Sequence, residues 1–139
     1  MPINVAELFQ DNQRRNEILK TLVINDIKII KACDGQAELS VEITESMLNV
    51  HEKIHGGVLF TIADSTAGAC AVSLGKKVVT LNSNINFIKA NPTGKVISKG
   101  RVVHKGRSTV VVDVNTYDYT TDALLSTSSF TMFVLGEYF

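Results

Sequence analysis

An acidic side chain within an apolar, helix-like segment is the most informative chemical feature of the sequence. Apolar residues between Val58 and Leu74 follow helical spacing, and Asp64 stands well inside that run. A buried carboxylate without a partner is costly. Asp64 therefore either has a structural partner, faces solvent at a subunit rim, or serves as a general base or nucleophile. The local pattern alone favours a structural role, because catalytic residues are rare.

The three residues that open this helix-like segment are suited to binding an oxyanion. Gly56 and Gly57 carry no side chains to cover their backbone N–H groups, and a helix N-terminus attracts negative charge. The preceding His55 has the residue type of a general acid or base, although it could equally orient the loop by hydrogen bonds. An ordinary loop-to-helix junction would explain the same residues.

A metal site is a weaker interpretation of the same stretch. His51 and His55 form an H-x-x-x-H pair, but the pair precedes the helix and no third ligand has convincing spacing. We therefore expect no metal and no other cofactor.

Two further groups of polar residues follow the helix. Strict alternation predicts that Thr80 and Asn82 share one strand face with Asn84 and Asn86, where they would contact Asp64 or a substrate. Lys105 and Arg107 lie in a predicted hairpin and are suited to binding phosphates. The ordinary explanation for both groups is a solvated surface.

The elements that must position these residues form an α+β domain. Short turns, among them the hairpin signal Asp34-Gly35, separate about six strands and require antiparallel pairing. The helix that ends at Gly75 is the obvious cover for the apolar face of the sheet. We expect a single domain over residues 1–139, in which residues 1–24 form an amphipathic N-terminal helical segment.

Composition narrows the possible classes of function. The chain has 139 residues, of which 45% are hydrophobic and 20% are charged, and its formal net charge is zero. The absence of a basic excess argues against nucleic acid as the main partner. Two cysteines without metal-like spacing, no signal-peptide pattern and no apolar run of bilayer length predict a cytoplasmic protein that does not bind membranes.

Taken together, these motifs resemble those of a known family of enzymes. Asn49-x-x-Glu52-x-x-His55-Gly56-Gly57, followed by Asp64, is similar to the pattern of hotdog-fold acyl-CoA thioesterases of the PaaI (phenylacetic acid degradation) type. The similarity continues through Asn84-Ile85-Asn86-Phe87 and the segment 102–108. One departure is Glu52, where the family pattern usually has glycine.

The resemblance implies a fold, a reaction and a shared active site. One long central helix would be wrapped by the antiparallel sheet in a homodimer, often within a homotetramer. Asp64 would act as base or nucleophile in one subunit, facing the Gly56 N–H of the other. The resemblance also implies roles for six other residues. Asn49 and His55 would orient the loop or nucleophile, Thr80 would place the water, and Gly57 would lie at the oxyanion site. Lys105 and Arg107 would meet the nucleotide end of coenzyme A.

Two alternatives to a thioesterase remain at this stage. A hotdog hydratase or dehydratase also uses a histidine with an acidic residue, but Gly56-Gly57 and the position of Asp64 favour the thioesterase. A non-catalytic module that binds or senses acyl-CoA would not need Asp64. The substrate expected for the enzyme is an acyl-CoA, which would be split into a carboxylic acid and free coenzyme A.

Overall fold

A computed structural model describes residues 26–91 and 94–138 of the chain. These residues form one antiparallel sheet of six strands, a 17-residue α-helix and a short 3-10 helix, which confirms the predicted α+β architecture. The N-terminal helix predicted for residues 1–24 lies outside the described residues. In chain order the elements are β1 (Lys28–Cys33), β2 (Gln36–Glu42), the 3-10 helix (Glu45–Met47), α1 (Gly56–Val72), β3 (Lys76–Phe87), β4 (Lys95–Lys105), β5 (Thr109–Asp118) and β6 (Leu124–Glu137).

The strands lie in the order β1-β2-β4-β5-β6-β3, and every neighbouring pair is antiparallel. The β1–β2 hairpin turns at Asp34 and Gly35, whose φ angles are 52° and 79°. Positive φ at both central residues gives the two-residue turn that matches the twist of the strands, so the predicted hairpin is confirmed. The Gly35 amide donates to Ser73 Oγ at 2.8 Å and ties this hairpin to the end of α1.

The sheet wraps around α1, which is buried over most of its circumference, as an evenly apolar helix should be. The helix ends at Val72, and the chain turns at Gly75, whose φ of 80° is a left-handed conformation that glycine adopts freely. Within the described residues, no helix combines the length and the apolar character needed to cross a membrane. The buried residues of α1 are Leu59, Ile62, Ala63, Thr66, Ala67, Ala69, Cys70, Ala71 and Val72.

A small network of hydroxyl groups joins α1 to the sheet. Thr66 Oγ1 lies 2.7 Å from the Ile62 carbonyl oxygen and 2.9 Å from Ser98 Oγ. Thr116 Oγ1 lies 3.2 Å from the same Ser98 oxygen. The three hydroxyl side chains are buried and satisfy one another, which removes most of the cost of burying them.

Cys70 lies one turn beyond Thr66 and is also buried. Burial raises the pKa of its thiol to about 12. The thiolate is the reactive and metal-binding form of cysteine. Cys70 therefore contributes packing rather than chemistry.

Strand β3 lies at the edge of the sheet, and its register against β6 contains one extra residue. Thr80 pairs with Met132 but Asn82 pairs with Thr131, so Leu81 forms a β-bulge. Directly paired residues share a face of the sheet, which puts Thr80 on the side of α1 and Asn82 on the opposite side. The predicted common face is therefore wrong for Thr80, because the bulge reverses the alternation. It is confirmed for Asn82, Asn84 and Asn86, which pair with Thr131, Ser129 and Thr127.

Candidate active site

The structure brings Asp64 and Thr80 together. The Thr80 hydroxyl donates a hydrogen bond of 2.5 Å to Asp64 Oδ1. The same hydroxyl oxygen lies 3.7 Å from the Met132 sulfur, whose side chain is buried. Asp64 is only partly buried, so its carboxylate has a structural partner on one side and remains accessible on the other.

A groove of about 430 Å³ opens beside this pair, between α1 and the end of the sheet. Gly68 and Val72 follow Asp64 at one-turn intervals along its helix wall, so this wall becomes apolar away from the carboxylate. A half-buried carboxylate at the mouth of an apolar groove is suited to activating water or attacking a carbonyl carbon. The other lining residues are Ser65, Lys77, Val78, Val79, Thr80, Met132, Leu135 and Tyr138.

The start of α1 offers hydrogen-bond donors that have no acceptor in the described part of the chain. The Val58 amide donates to the His55 carbonyl oxygen at 3.0 Å. In residues 26–91 and 94–138, the amides of Gly56 and Gly57 donate to no acceptor. Two free N–H groups at a helix N-terminus can bind an oxyanion, because they point outward and carry the positive end of the helix dipole.

A second cavity, of about 460 Å³, lies at this end of the helix. His55, Gly57 and Thr61 contribute to its wall, and the His55 backbone N–H donates to the Met47 carbonyl oxygen at 2.9 Å. The His55 side chain is exposed and makes no capping hydrogen bond. The other lining residues are Asp26, Ile27, Val41, Ser46, Met47, Val58 and Ile62.

Within one chain, the carboxylate and the free N–H groups do not meet. Asp64 follows Gly56 by eight positions on the same helix, which is a rise of about 12 Å. Asp64 lines the groove of about 430 Å³, whereas Gly57 lines the cavity of about 460 Å³ at the start of the helix. Within a single chain, Asp64 and the N–H groups of Gly56 and Gly57 therefore do not form one site.

Asn49 organises the loop that leads into α1. Its side-chain oxygen accepts hydrogen bonds from the amides of His51 and Lys53, at 2.9 and 3.1 Å. The Lys53 carbonyl oxygen accepts from the Asn49 amide at 2.7 Å, which closes the loop from the other side. In one chain Asn49 therefore holds the loop in shape, while His51 is exposed and its backbone amide donates to Asn49.

Glu52 stands at the tip of this loop with a φ of 60°. This left-handed conformation costs a residue with a Cβ atom roughly 1–2 kcal/mol, whereas glycine adopts it without that cost. The family pattern that this sequence resembles usually has glycine at this position, and the left-handed backbone conformation explains that preference. The Glu52 side chain is exposed, so it adds a negative charge at the rim of the loop.

Replacing Glu52 with glycine should stabilise the protein. Relief of the left-handed strain outweighs the added freedom of the unfolded chain, and we expect a net gain of about 0.5–1 kcal/mol in the free energy of unfolding. Urea unfolding of Glu52→Gly beside Glu45→Gly measures this gain, because Glu45 is an exposed glutamate without a positive φ. A lower stability of Glu52→Gly would contradict the strain.

The remaining predicted residues make no contact with Asp64 in the described part of the chain. Asn82 faces away from α1 on the edge strand, as its register shows. Lys105 and Arg107 are exposed at the β4–β5 hairpin and line neither of the two cavities. Met132 was missed from the sequence, because its contact with Thr80 spans 52 positions and leaves no local pattern.

No group of three histidine, cysteine, aspartate or glutamate side chains within the described residues is arranged to hold a metal ion. The two histidines of the loop are both exposed. The only partner of the Asp64 carboxylate in the hydrogen bonds of the described residues is Thr80.

Comparison with known proteins adds independent information. The sequence pattern of the thioesterase superfamily matches residues 51–123, about half of the chain. Among curated proteins, the acyl-coenzyme A thioesterase PaaI of Escherichia coli is 33% identical over 89 residues, which are 63% of this chain and 64% of that protein. The chain thus spans somewhat less than two thirds of that relative.

Solved structures of similar fold cover more of the chain. A hypothetical thioesterase of Streptococcus pneumoniae, solved with coenzyme A, is 34% identical with a TM-score of 0.81, over 87% of this chain and 97% of that one. A Streptococcus mutans protein bound to acetyl CoA is 34% identical with a TM-score of 0.79, over 83% and 93%. The Escherichia coli PaaI structure is 25% identical with a TM-score of 0.81, over 95% and 96%.

Proposed function

Because this chain belongs to the thioesterase superfamily, we propose that it hydrolyses acyl-CoA thioesters to a carboxylic acid and free coenzyme A. The observation that carries the proposal is the hydrogen bond from Thr80 to Asp64 at the mouth of an apolar groove. Two further solved structures of the Streptococcus pneumoniae thioesterase are alanine variants of an aspartate and of a threonine. Those two residues lie sixteen positions apart, the same separation as between Asp64 and Thr80.

The proposed reaction uses the two halves of the site differently. The Gly56 N–H binds the thioester carbonyl oxygen and stabilises the negative charge that develops on it. Asp64 removes a proton from water while the water oxygen bonds to the carbonyl carbon, and the C–S bond then breaks to release the CoA thiolate, which takes up a proton. Alternatively, an Asp64 carboxylate oxygen attacks the carbonyl carbon and the C–S bond breaks to release the CoA thiolate, which takes up a proton. Water then hydrolyses the resulting mixed anhydride to the carboxylic acid and the free Asp64 carboxylate. Thr80 keeps the carboxylate oriented in either route.

A complete site requires two protomers in this proposal. Asp64 and Thr80 come from one protomer, and Asn49, His55, Gly56 and Gly57 from its partner. The separation of about 12 Å along α1 supports this division. Strand β3 supports it as well, because it has no neighbour on its outer side in the described chain and exposes 62% of Leu81. Pairing of two such strands would give a homodimer with a continuous sheet, and two dimers a homotetramer.

Other parts of the proposal concern the substrate and the setting. Lys105 and Arg107 bind the phosphates of the coenzyme A nucleotide, since their charges are exposed at the tip of the β4–β5 hairpin. The reaction needs no metal and no cofactor beyond the coenzyme A of the substrate. The enzyme acts in the cytoplasm, where acyl-CoA is present.

The direct test is the release of free coenzyme A from a panel of acyl-CoAs that differ in acyl length and aromatic character. We expect turnover of at least one substrate well above the uncatalysed rate, followed with a thiol reagent. Sedimentation of the same preparation should show a dimer or a tetramer. Tight binding of acyl-CoA without any turnover would instead indicate a binding or sensing module, and a strictly monomeric active enzyme would contradict the shared site.

A further inference from the structure

The ring of Phe87 lies against the first residue of α1. A Cβ atom placed on Gly56 would be 3.2 Å from Phe87 Cζ, 3.3 Å from Cε1 and 3.7 Å from Cε2. The tip of the ring therefore occupies the space that a side chain at position 56 would need. By contrast, a Cβ atom on Gly57 would meet no atom of the described residues within 4 Å. Of the two adjacent glycines, only Gly56 has a described side chain this close to the place of a Cβ atom.

Hydrogen bonds join the chain segments that carry Phe87 and Gly56. Phe87 is the last residue of β3 and pairs with Ser126 of β6. Just beyond it, the Ala90 carbonyl oxygen accepts a hydrogen bond of 3.0 Å from the Ile54 amide. Lys53 Nζ donates to Asn91 Oδ1, also at 3.0 Å. These two bonds join the segment after Phe87 to the segment before Gly56, so the ring and the helix start form one assembly.

The position of the ring affects the environment of the free Gly56 N–H group. Phe87 is 51% exposed, and the tip of its ring lies beside Gly56, 3.2 Å from the place that a Cβ atom would take. An apolar ring beside a hydrogen-bond donor keeps water away from one side of that donor. A hydrogen bond to a developing negative charge is stronger where water is excluded and where the donor does not need to reorient.

We propose that Phe87 is a positioning residue for the hydrolysis reaction, acting through Gly56. Its ring fixes the start of α1, aims the Gly56 N–H and shields it from water, so that the donor is ready for the oxyanion. This inference rests on the proposed thioesterase activity, because it assigns Phe87 a role only in that site. An effect on the oxyanion should lower kcat much more than it raises KM.

A double-mutant cycle between positions 56 and 87 tests the coupling. Gly56→Ala forces a Cβ atom against the ring and should lower kcat by about 10- to 100-fold. This decrease is no larger than the decrease in kcat that follows the loss of a whole oxyanion donor. Phe87→Leu removes the ring tip and should lower kcat by about 10-fold, because the N–H becomes hydrated and less fixed. In the double variant, leucine leaves space for the alanine, so kcat should return to the level of Phe87→Leu alone.

The matched control is Phe133→Leu. Phe133 is an aromatic residue of β6 that is 41% exposed and pairs with Val79 on the face away from α1. This variant should keep the kcat of the unmodified enzyme. Circular dichroism and the melting temperature of each variant show whether a loss of kcat comes from unfolding.

The outcomes separate the inference from the proposed function. Suppose that the unmodified enzyme hydrolyses acyl-CoA and that the fold-decrease of kcat in the double variant equals the product of the two single fold-decreases. The two positions are then not coupled, so the inference is overturned while the proposed function stands. Equal losses in Phe87→Leu and Phe133→Leu would overturn it in the same way. If the unmodified protein hydrolyses no acyl-CoA at all, both the proposed function and this inference fail.

Discussion

Replacement of Asp64 with asparagine should lower kcat for acyl-CoA hydrolysis by roughly 1,000-fold, within the range expected for loss of a general base. Asparagine has nearly the same shape as aspartate, and its amide oxygen can still accept the hydrogen bond from Thr80. The variant therefore loses the charge and basicity of the group but keeps its place. Release of coenzyme A under saturating substrate, with a thiol reagent, measures the loss.

The folded state should tolerate this change. Asp64 is only partly buried and lies at the mouth of a groove, so the neutral amide does not need a new buried partner. We expect the melting temperature of Asp64→Asn to lie within a few degrees of that of the unmodified protein. Asp122→Asn is a suitable control, because Asp122 is an exposed carboxylate in the β5–β6 turn. Unchanged turnover in Asp64→Asn would remove this residue from the mechanism.

Thr80→Val isolates the contribution of the hydroxyl group to the same step. Valine keeps the branched shape and the strand preference of threonine but cannot donate to the carboxylate. The Asp64 charge remains, so the loss of kcat should be much smaller than in Asp64→Asn, about 10- to 100-fold.

A covalent adduct on the peptide that contains Asp64, found by mass spectrometry after rapid acid quenching, would identify the nucleophilic route.

The parts of the fold that could be predicted are those with local signals. The apolar run of α1, the turn at Asp34 and Gly35, and the short strand connections each depend on neighbouring residues, and together they gave the helix and the antiparallel sheet. The strand pattern also led to the expectation that the polar residues of β3 contact Asp64 or a substrate, and Thr80 makes that contact with Asp64. Local periodicity alone could not have assigned that partner.

The features that could not be predicted depend on distant contacts or on an irregular backbone. The bulge at Leu81 adds one residue to β3, and no residue nearby indicates that the alternation reverses between Thr80 and Asn82. The positive φ of Glu52 is invisible in the sequence, because glutamate gives no signal for it. Phe87 looks like one more apolar strand residue until the fold brings its ring against Gly56.

Gly100 of β4 lies directly against two side chains of α1. A Cβ atom there would be 2.9 Å from Cys70 Sγ and 2.9 Å from Thr66 Cγ2, both on α1. Real Cβ contacts are essentially never this short, so a side chain at position 100 must displace Cys70, Thr66 or the helix that carries them. Thr66 cannot move freely, because its hydroxyl is bonded within the buried network that includes Ser98.

Gly100→Ala should therefore destabilise the fold by about 2–3 kcal/mol, a typical cost for forcing extra volume into a packed core. The strain exceeds the gain of roughly 0.5–1 kcal/mol that alanine brings over glycine in a strand. Urea unfolding measures the change in free energy, and the melting temperature should fall by roughly 5–10 °C. Gly136→Ala is the matched control: Gly136 also lies in a strand, but a Cβ atom there would meet nothing within 4 Å.

Removal of the atoms that the new methyl group would meet should reverse part of this loss. Cys70→Ala deletes the sulfur, and Thr66→Ser deletes the methyl group while keeping the hydroxyl that bonds to Ser98. Each replacement costs stability alone, because it leaves a small cavity. In the Gly100→Ala background that cavity is filled, so the combined change should be smaller than the sum of the single changes. If the changes in unfolding free energy were strictly additive, another contact would have to displace the helix. If Gly100→Ala left the stability unchanged, α1 would not need glycine on β4 to approach the sheet.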